Sequence, residues 1–352
     1  MTGARHGTTV AGDLDLAAGW YIAARADTVR RRPVPLDLFG RQLVAWRDGT
    51  GRAVLMPRHC AHLGASLALG KVVDGCLRCP FHHWRYDATG TCVDIPGATG
   101  LTRTARLRTY PLRERHGYLW AWYGGPRPAY ELPEVPALDT PERYLTYRFR
   151  HSTPASPRRV LENAFDFYHF MTLHQVRSRE PVELDLLDDP SEAADNGPPI
   201  PAEAWIGARL RSRGLHVPAP IRALGLRTDT FSLLVDGWPG GQRLTFYLDG
   251  RMVAKELLGV TPVAAGRTVM QGWTLVPRSG FLPRDLTLLL MYRAQHWQGT
   301  REDLAVYRHA ADVDTPVPVR YDRSVLRFRR FWAGWVDRAE ATEAATAPAG
   351  AA

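Results

Sequence analysis

The chain has 352 residues, 45% of them hydrophobic and 23% charged, which is enough for one or two domains with sizeable cores. Its net charge is +9, yet only Lys71 and Lys255 are lysines, and the arginines are scattered without an interleaved basic-aromatic stripe, so nucleic-acid binding is excluded. No apolar run reaches the ~18 residues needed to span a bilayer (the longest candidate is near Leu286–Tyr292), and Met1–Ala18 lacks a basic-then-apolar leader pattern; the expectation is a cytoplasmic protein with no membrane segment.

Residues 19–125 read as all-β after a flexible stretch over 1–18. Leu43–Trp46 and Ala53–Met56 are short strands around the turn Arg47-Asp48-Gly49-Thr50-Gly51, and Trp84–Tyr86 and Thr91–Val93 flank Asp87-Ala88-Thr89-Gly90. Gly117–Tyr123 closes the set. Between these strands lie Cys60-Ala61-His62 and, sixteen residues on, Cys79-Pro80-Phe81-His82. Two such loops, each offering one thiolate and one imidazole, suit a [2Fe-2S] centre with two Cys on one iron and two His on the other, the Rieske arrangement. Neutral imidazoles leave the cluster less negative than four thiolates would, and its potential rises. Cys76 forms a C-x2-C pair with Cys79, the competing zinc reading, but no second pair follows. Cys76 and Cys92 read as small strand residues.

A proline-punctuated linker covers 126–142. The second domain, 143–338, opens with strands Tyr144–Arg150, Thr230–Asp236, Leu244–Leu248 and Thr268–Leu275, and a helical stretch begins near Pro157. Asp185–Glu203 is polar and proline-rich and reads as a mobile loop, a candidate lid. Pro283–His309 is helix-rich, and 339–352 reads as a disordered tail.

His169 and His174 stand five apart, so they do not share a face of a regular helix. They converge only if the helix distorts or ends between them. With a carboxylate they would hold a mononuclear iron on one face and leave positions open for dioxygen and substrate. Asp303, in a helix-like segment beside Leu304 and Val306, is the expected third ligand, with Glu302 and Asp312 as alternatives. Asp166, three residues before His169 and among Phe165, Phe167 and Phe170, reads as a buried carboxylate that orients the ring of a metal-bound His.

Cys-x-His-x16-Cys-x2-His, then Asn163-x2-Asp166-x2-His169-x4-His174, then Asp303, resembles the catalytic subunit of Rieske non-haem iron oxygenases. Leu38–Arg41, His59–Ala65, Cys79–Asp87, Asp236–Gly241 and Gly334–Arg338 make the chain similar in particular to the aminopyrrolnitrin oxygenase-like group. The resemblance implies an α+β chain: an N-terminal all-β Rieske [2Fe-2S] domain and a C-terminal helix-grip catalytic domain, an antiparallel sheet with helices. It implies Fe(II) at His169, His174 and Asp303, O2 as co-substrate, and electrons from NAD(P)H through a flavin reductase or ferredoxin. It further implies a homotrimer in which Asp166 links His82 of one subunit to an iron His of the next. The reaction implied is N-oxygenation of a small aromatic amine to nitroso or nitro. Alternatives are C–H hydroxylation, desaturation or oxidative cyclisation of an aromatic or polycyclic metabolite in secondary metabolism. Respiratory Rieske carriers, the other class, add two cysteines that tie the loops together; Ala65 and Phe81 stand at those positions here. His83, usually Gly in the wider family, is read as structural.

Overall fold

The computed structural model describes residues 14–98, 105–175, 178–214, 228–311, 317 and 319–346. They fall into two compact units. One comprises Leu16–Leu132, Thr261–Ala264 and the described chain from Trp335; the other comprises Pro133–Val260, Ala265–Gly334 and the described chain up to Asp15.

The first unit is built from β1 (Gly19–Arg25), β2 (Val34–Leu38), β3 (Arg41–Arg47), β4 (Ala53–Pro57), β5 (Lys71–Val73), β6 (Cys76–Arg78), β7 (Arg85–Tyr86), β8 (Cys92–Asp94), β9 (Leu112–Arg115) and β10 (Tyr118–Tyr123). They form three sheets, ordered β1-β10-β9, β2-β3-β4 and β5-β6-β7-β8. The central strand β10 is buried along its whole length, which accounts for its unbroken run of large apolar residues. Both expected hairpins form by the same device. Asp48 Oδ1 accepts from Thr50 N and Arg52 N at 2.8 and 3.0 Å, and Asp87 Oδ1 accepts from Thr89 N and Thr91 N, both at 2.9 Å. Gly90, at φ +81°, could not be another residue: a Cβ there would lie 1.9 Å from the Leu107 carbonyl oxygen.

The second unit holds a seven-stranded sheet of β11 (Tyr144–Thr153), β12 (Glu183–Leu187), β13 (Ile206–Arg213), β14 (Thr230–Trp238), β15 (Gly241–Leu248), β16 (Arg251–Ala264) and β17 (Arg267–Pro277), ordered β11-β17-β16-β15-β14-β13-β12. The strand pairs β11–β17 and β12 through β16 are antiparallel. Short helices α1 (Pro157–Glu162) and α2 (Phe167–Thr172) follow β11, and the long helices α3 (Leu282–His309) and α4 (Arg323–Thr346) follow β17. Strands β12, β13 and β16 were not expected from the sequence. Gly259 and Pro262 interrupt the β16 pattern, and only pairing with neighbours fixes it as a strand.

Three expectations are corrected here. Asp185–Glu203 is not a mobile loop. Its first residues lie in β12, and Asn196 is buried, giving its amide to Asp236 Oδ1 at 2.8 Å and to the Arg243 carbonyl at 3.0 Å. Asp236 and Arg243 form a fully buried ion pair (0 and 2% exposed), and Arg243 Nη1 donates to the carbonyls of Glu134 and Pro198 at 2.7 and 3.1 Å. The disorder expected over 339–352 does not hold for Ala339–Thr346, where α4 continues: Ala339 is buried, and Glu343 accepts from Arg41 and Arg108. Flexibility over 1–18 does not extend to residues 15–18. Asp15 accepts from Trp332 Nε1 at 2.9 Å and from Arg158 at 3.2 Å, and Ala17 and Ala18 are buried. The rest of both terminal stretches lies outside the described residues.

Among the described residues no helix is long and apolar enough to cross a membrane. The apolar run at Leu286–Tyr292 is part of α3, with Leu286 and Leu290 exposed.

Candidate metal centres

The Cys/His loops join strands of the first unit. Cys60 follows β4 and Cys79 follows β6, and both are buried in a core with Trp46, Leu77, Tyr86 and Cys92. Each loop is closed by main-chain bonds: Cys60 N to Ala65 O at 2.9 Å, Gly64 N to Cys60 O at 3.0 Å, and Cys79 N to Trp84 O at 2.8 Å. Gly64 takes φ +72° at the tip of the first loop. His62 and His82 are exposed, with ring centroids 4.7 Å apart, and Trp84 stacks on His62 at 4.5 Å. The result is a pair of thiols facing inward and a pair of imidazoles facing water.

The hydroxyl of Tyr86 accepts from Ala61 N at 3.2 Å and shares a hydrogen bond of 3.2 Å with Cys60 Sγ. Tyr86 and Trp84 were not singled out as site residues by sequence; two aromatics at alternate positions just after the second loop are the signal that points to them. Among the described residues, no three of the four loop ligands gather within 4.8 Å of one another. Tetrahedral zinc, with bonds of about 2.0–2.3 Å, would require that. Cys76 and Cys79 likewise belong to no such group, and the zinc reading is set aside.

The second centre lies in the second unit. Ser156 caps α1, accepting from Arg159 N at 3.3 Å, with Pro157 in the first turn. A 3-10 turn (Asn163–Phe165) follows, and the chain breaks at Asp166 (φ −95°, ψ 88°) before α2 begins. Helix α2 ends between the two histidines, as their spacing demanded. The N–H of Leu173 and the N–H of His174 both reach the His169 carbonyl, at 2.7 and 3.3 Å, and the second bond spans five residues, a π-type widening. This brings His174 round to His169, their ring centroids 5.0 Å apart.

Asp303 comes from the far side, on α3. Ligand atoms of His169, His174 and Asp303 all lie within 4.8 Å of one another, the one such group among the described residues. His174 Nε2 is 3.3 Å from Asp303 Oδ1, and its Nδ1 is 2.8 Å from Glu302 Oε2. Glu302 thus holds the back of an imidazole and does not join the triad; Asp312 lies outside the described residues. His169 Nδ1 donates to the main-chain carbonyl of Asp166, which turns Nε2 inward. Both rings are therefore oriented through Nδ1 and offer Nε2, the arrangement that fixes the tautomer of a metal-binding imidazole.

Asp166 performs this differently from the expectation. Its carbonyl, not its carboxylate, orients His169. The carboxylate caps α2, accepting from Tyr168 N at 3.1 Å and His169 N at 3.4 Å, and it is half-exposed where burial was expected. Asp166, His169 and Asp303 border a cavity of about 300 Å³ whose other walls include Arg159, Tyr307 and Arg329. Asn163 was missed as a participant: its amide nitrogen lies 3.2 Å from His169 Nε2 and 3.3 Å from Asp303 Oδ1. Its place at the head of the His-pair motif was the available signal. Trp205 does not line this cavity; it is a core residue whose Nε1 donates to Asp236 Oδ2 at 3.2 Å.

Burial pushes His169 below its ordinary pKa, leaving the neutral ring that a metal requires. At His174 burial acts the same way, but Asp303 and Glu302 outweigh it and raise the pKa. Two imidazoles and a carboxylate that together attract positive charge fit an iron(II) ion.

Comparison with known proteins now gives the class. A match to the Rieske [2Fe-2S] domain covers residues 19–111. The chain is 39% identical over 335 residues to aminopyrrolnitrin oxygenase PrnD of Pseudomonas fluorescens, covering 92% of each chain. It is 30% identical over 164 residues to the oxygenase component of a 3-ketosteroid-9-alpha-monooxygenase from Rhodococcus rhodochrous, covering 45% of this chain and 43% of that one. The fold matches the crystal structure of dicamba monooxygenase bound to dicamba, with a TM-score of 0.71 at 17% identity over 94% of this chain and 99% of that chain. The chain belongs to the Rieske non-haem iron oxygenases. It is an oxidoreductase that uses a Rieske [2Fe-2S] cluster and a mononuclear iron, and the reading as an electron carrier without oxygenase activity falls away.

Proposed function

We propose that the chain oxidises the nitrogen of a small aromatic amine to the nitroso or nitro level. The observation that carries this is the 39% identity running through 92% of both chains to a protein named as an aminopyrrolnitrin oxygenase, against matches to steroid and other oxygenases that span about half of this chain.

In this reading Cys60, His62, Cys79 and His82 hold the cluster, and His169, His174 and Asp303 hold the iron. The two metals supply electron transfer and dioxygen chemistry. The protein supplies the rest. Exposed His62 and His82 present the edge where a ferredoxin or flavin reductase, fed by NAD(P)H, delivers electrons. Phe81 and Leu63 beside them, 61 and 65% exposed, give that edge an apolar rim suited to docking. Glu302 and the Asp166 carbonyl hold the imidazoles at fixed angles. In this reading the Asp166 carboxylate, half-exposed at the iron-side cavity, accepts a hydrogen bond from His82 of a neighbouring subunit in a homotrimer and so routes the electron across subunits.

Product mass with isotopic dioxygen tests the reaction. The metal-loaded enzyme, with ferredoxin, reductase and an arylamine, should place labelled oxygen on nitrogen. Label on carbon would make it a hydroxylase instead, and loss of two hydrogens without label a desaturase or cyclase.

A further inference from the structure

Seven residues before Asp303 on the same helix stands His296, a titratable group that the iron centre does not use. Residues 296, 299 and 303 fall on one side of α3, since 3.6 residues complete a turn. Gly299 lies against the iron-side imidazole: a Cβ built there would sit 3.8 Å from His174 Cε1. His296 is therefore one turn beyond a residue that touches the triad, and the axial rise from 296 to 303 is about 10 Å, the length of a two-ring aromatic.

The surroundings of His296 are built. Glu256 on β16 accepts from His296 Nδ1 at 2.6 Å and from Thr274 Oγ1 at 3.0 Å, both at the same carboxylate oxygen. The side chains of His296 and Glu256 are only 13 and 10% exposed. Rings of Phe149, Tyr147 and His151, alternate residues of β11, stand 4.8, 6.0 and 6.4 Å from the imidazole. Burial works against charge on His296, yet Glu256 outweighs it and raises the pKa, whereas burial and the neighbouring His296 lower that of His151. Glu256 thus favours the protonated ring, in which both nitrogens are donors. The ring Nε2 is buried and has no hydrogen-bond partner among the described residues. A buried donor left unpaired is costly, and one held this firmly from behind calls for a partner that the fold does not supply.

We propose that His296, held by Glu256, donates from Nε2 to a hydrogen-bond acceptor at the end of the aromatic substrate remote from the oxidised nitrogen, and so selects which arylamines bind. The acceptor is a carbonyl, ether or hydroxyl oxygen on the second ring. Glu256 and Thr274 are positioning residues that fix the imidazole, and the rings of β11 form the apolar wall. The proposal rests on the arylamine reading for its choice of substrate.

The test uses equilibrium binding of a matched pair, 4-amino-4′-acetylbiphenyl and 4-amino-4′-isopropylbiphenyl, to the holoenzyme without reductant. Wild type should bind the acetyl compound at least about tenfold more tightly. His296→Leu should bring the ratio to about one, and His296→Gln, which keeps a donor near Nε2, should restore part of it; in steady state the change should fall on KM more than on kcat. The visible spectrum of the cluster reports folding, and if His296→Leu does not fold, His296→Gln against Glu256→Gln decides. An unchanged ratio in the variants, meaning that Nε2 bonds only water, overturns the proposal, as does a wild type that binds neither amine or both alike. Failure of N-oxygenation with the ratio intact would instead overturn the reaction assigned above and leave His296 in place.

Discussion

The two metal centres are built in opposite ways. The cluster ligands come from two short loops whose ends are pinned by neighbouring strands, and each loop is closed by its own main-chain hydrogen bonds. The iron triad is assembled from the two ends of a broken helix and from a residue on α3, about 130 positions away, with Asn163 and Glu302 completing it. The first is local and so is written in contiguous motifs. The second depends on where α3 lies over the sheet, and its precision comes from bonds no motif announces.

The strongest test of that contrast is Asp303→Ala. Iron should fall from about three to about two atoms per chain while the cluster spectrum stays, because the proposed cluster ligands all come from the two loops. Cys79→Ala should do the reverse and lose the cluster. Iron retained by Asp303→Ala would falsify the triad.

Asp166→Asn separates structure from electron routing. Asn still caps a helix, and the residue-166 carbonyl still holds His169, so both metals should remain. If the carboxylate bridges subunits as proposed, turnover should nevertheless collapse, because an amide cannot take its place. Near-normal substrate oxidation would break the subunit-bridging role.

Arg243→Leu asks how far the second unit depends on its buried network. It strands Asp236, which is fully buried, and should cost about 3–5 kcal/mol by denaturant midpoint. A loss under about 1 kcal/mol would mean that water or Asn196 compensates.

Glu302→Gln probes the bond behind His174 and should weaken iron binding about 10–100-fold without abolishing it, measured by chelator competition. Complete loss of iron would promote Glu302 to a ligand. The smallest effect belongs to the cluster side. His83 sits at φ +62°, where a Cβ is strained, so His83→Gly should change stability by within about 1 kcal/mol, on the stabilising side, by thermal melt. A clear destabilisation would show that the His83 ring makes a contact that matters.

Much of this was legible in the chain itself. The Rieske class was legible from Cys60, His62, Cys79 and His82, the proposed cluster ligands, because both ligand types and the turn chemistry are local. The His169/His174 spacing required a helix that distorts or ends between them, and α2 ends there. Ala65 and Phe81 in place of cysteines removed the loop-tying disulfide. Where sequence reading failed, non-local contacts had overridden local composition. The polar, proline-rich stretch 185–203 is held by Asn196 inserted beside a buried Asp–Arg pair, and the Ala/Thr-rich tail is helical through Thr346, with Glu343 engaging two arginines of the β-rich unit.

The sequence by itself determined the class of cofactor, the histidine pair and the two-part fold, because ligand type, spacing and strand alternation act over a few residues. Only the tertiary structure decided that Glu302 backs His174 and does not join the triad. It also decided that the carbonyl, not the carboxylate, of Asp166 aims His169, and that His296 is held by Glu256 with one nitrogen to spare. Those choices turn on ångström-scale distances between segments far apart in the chain, and spacing along the chain does not encode distance across the fold.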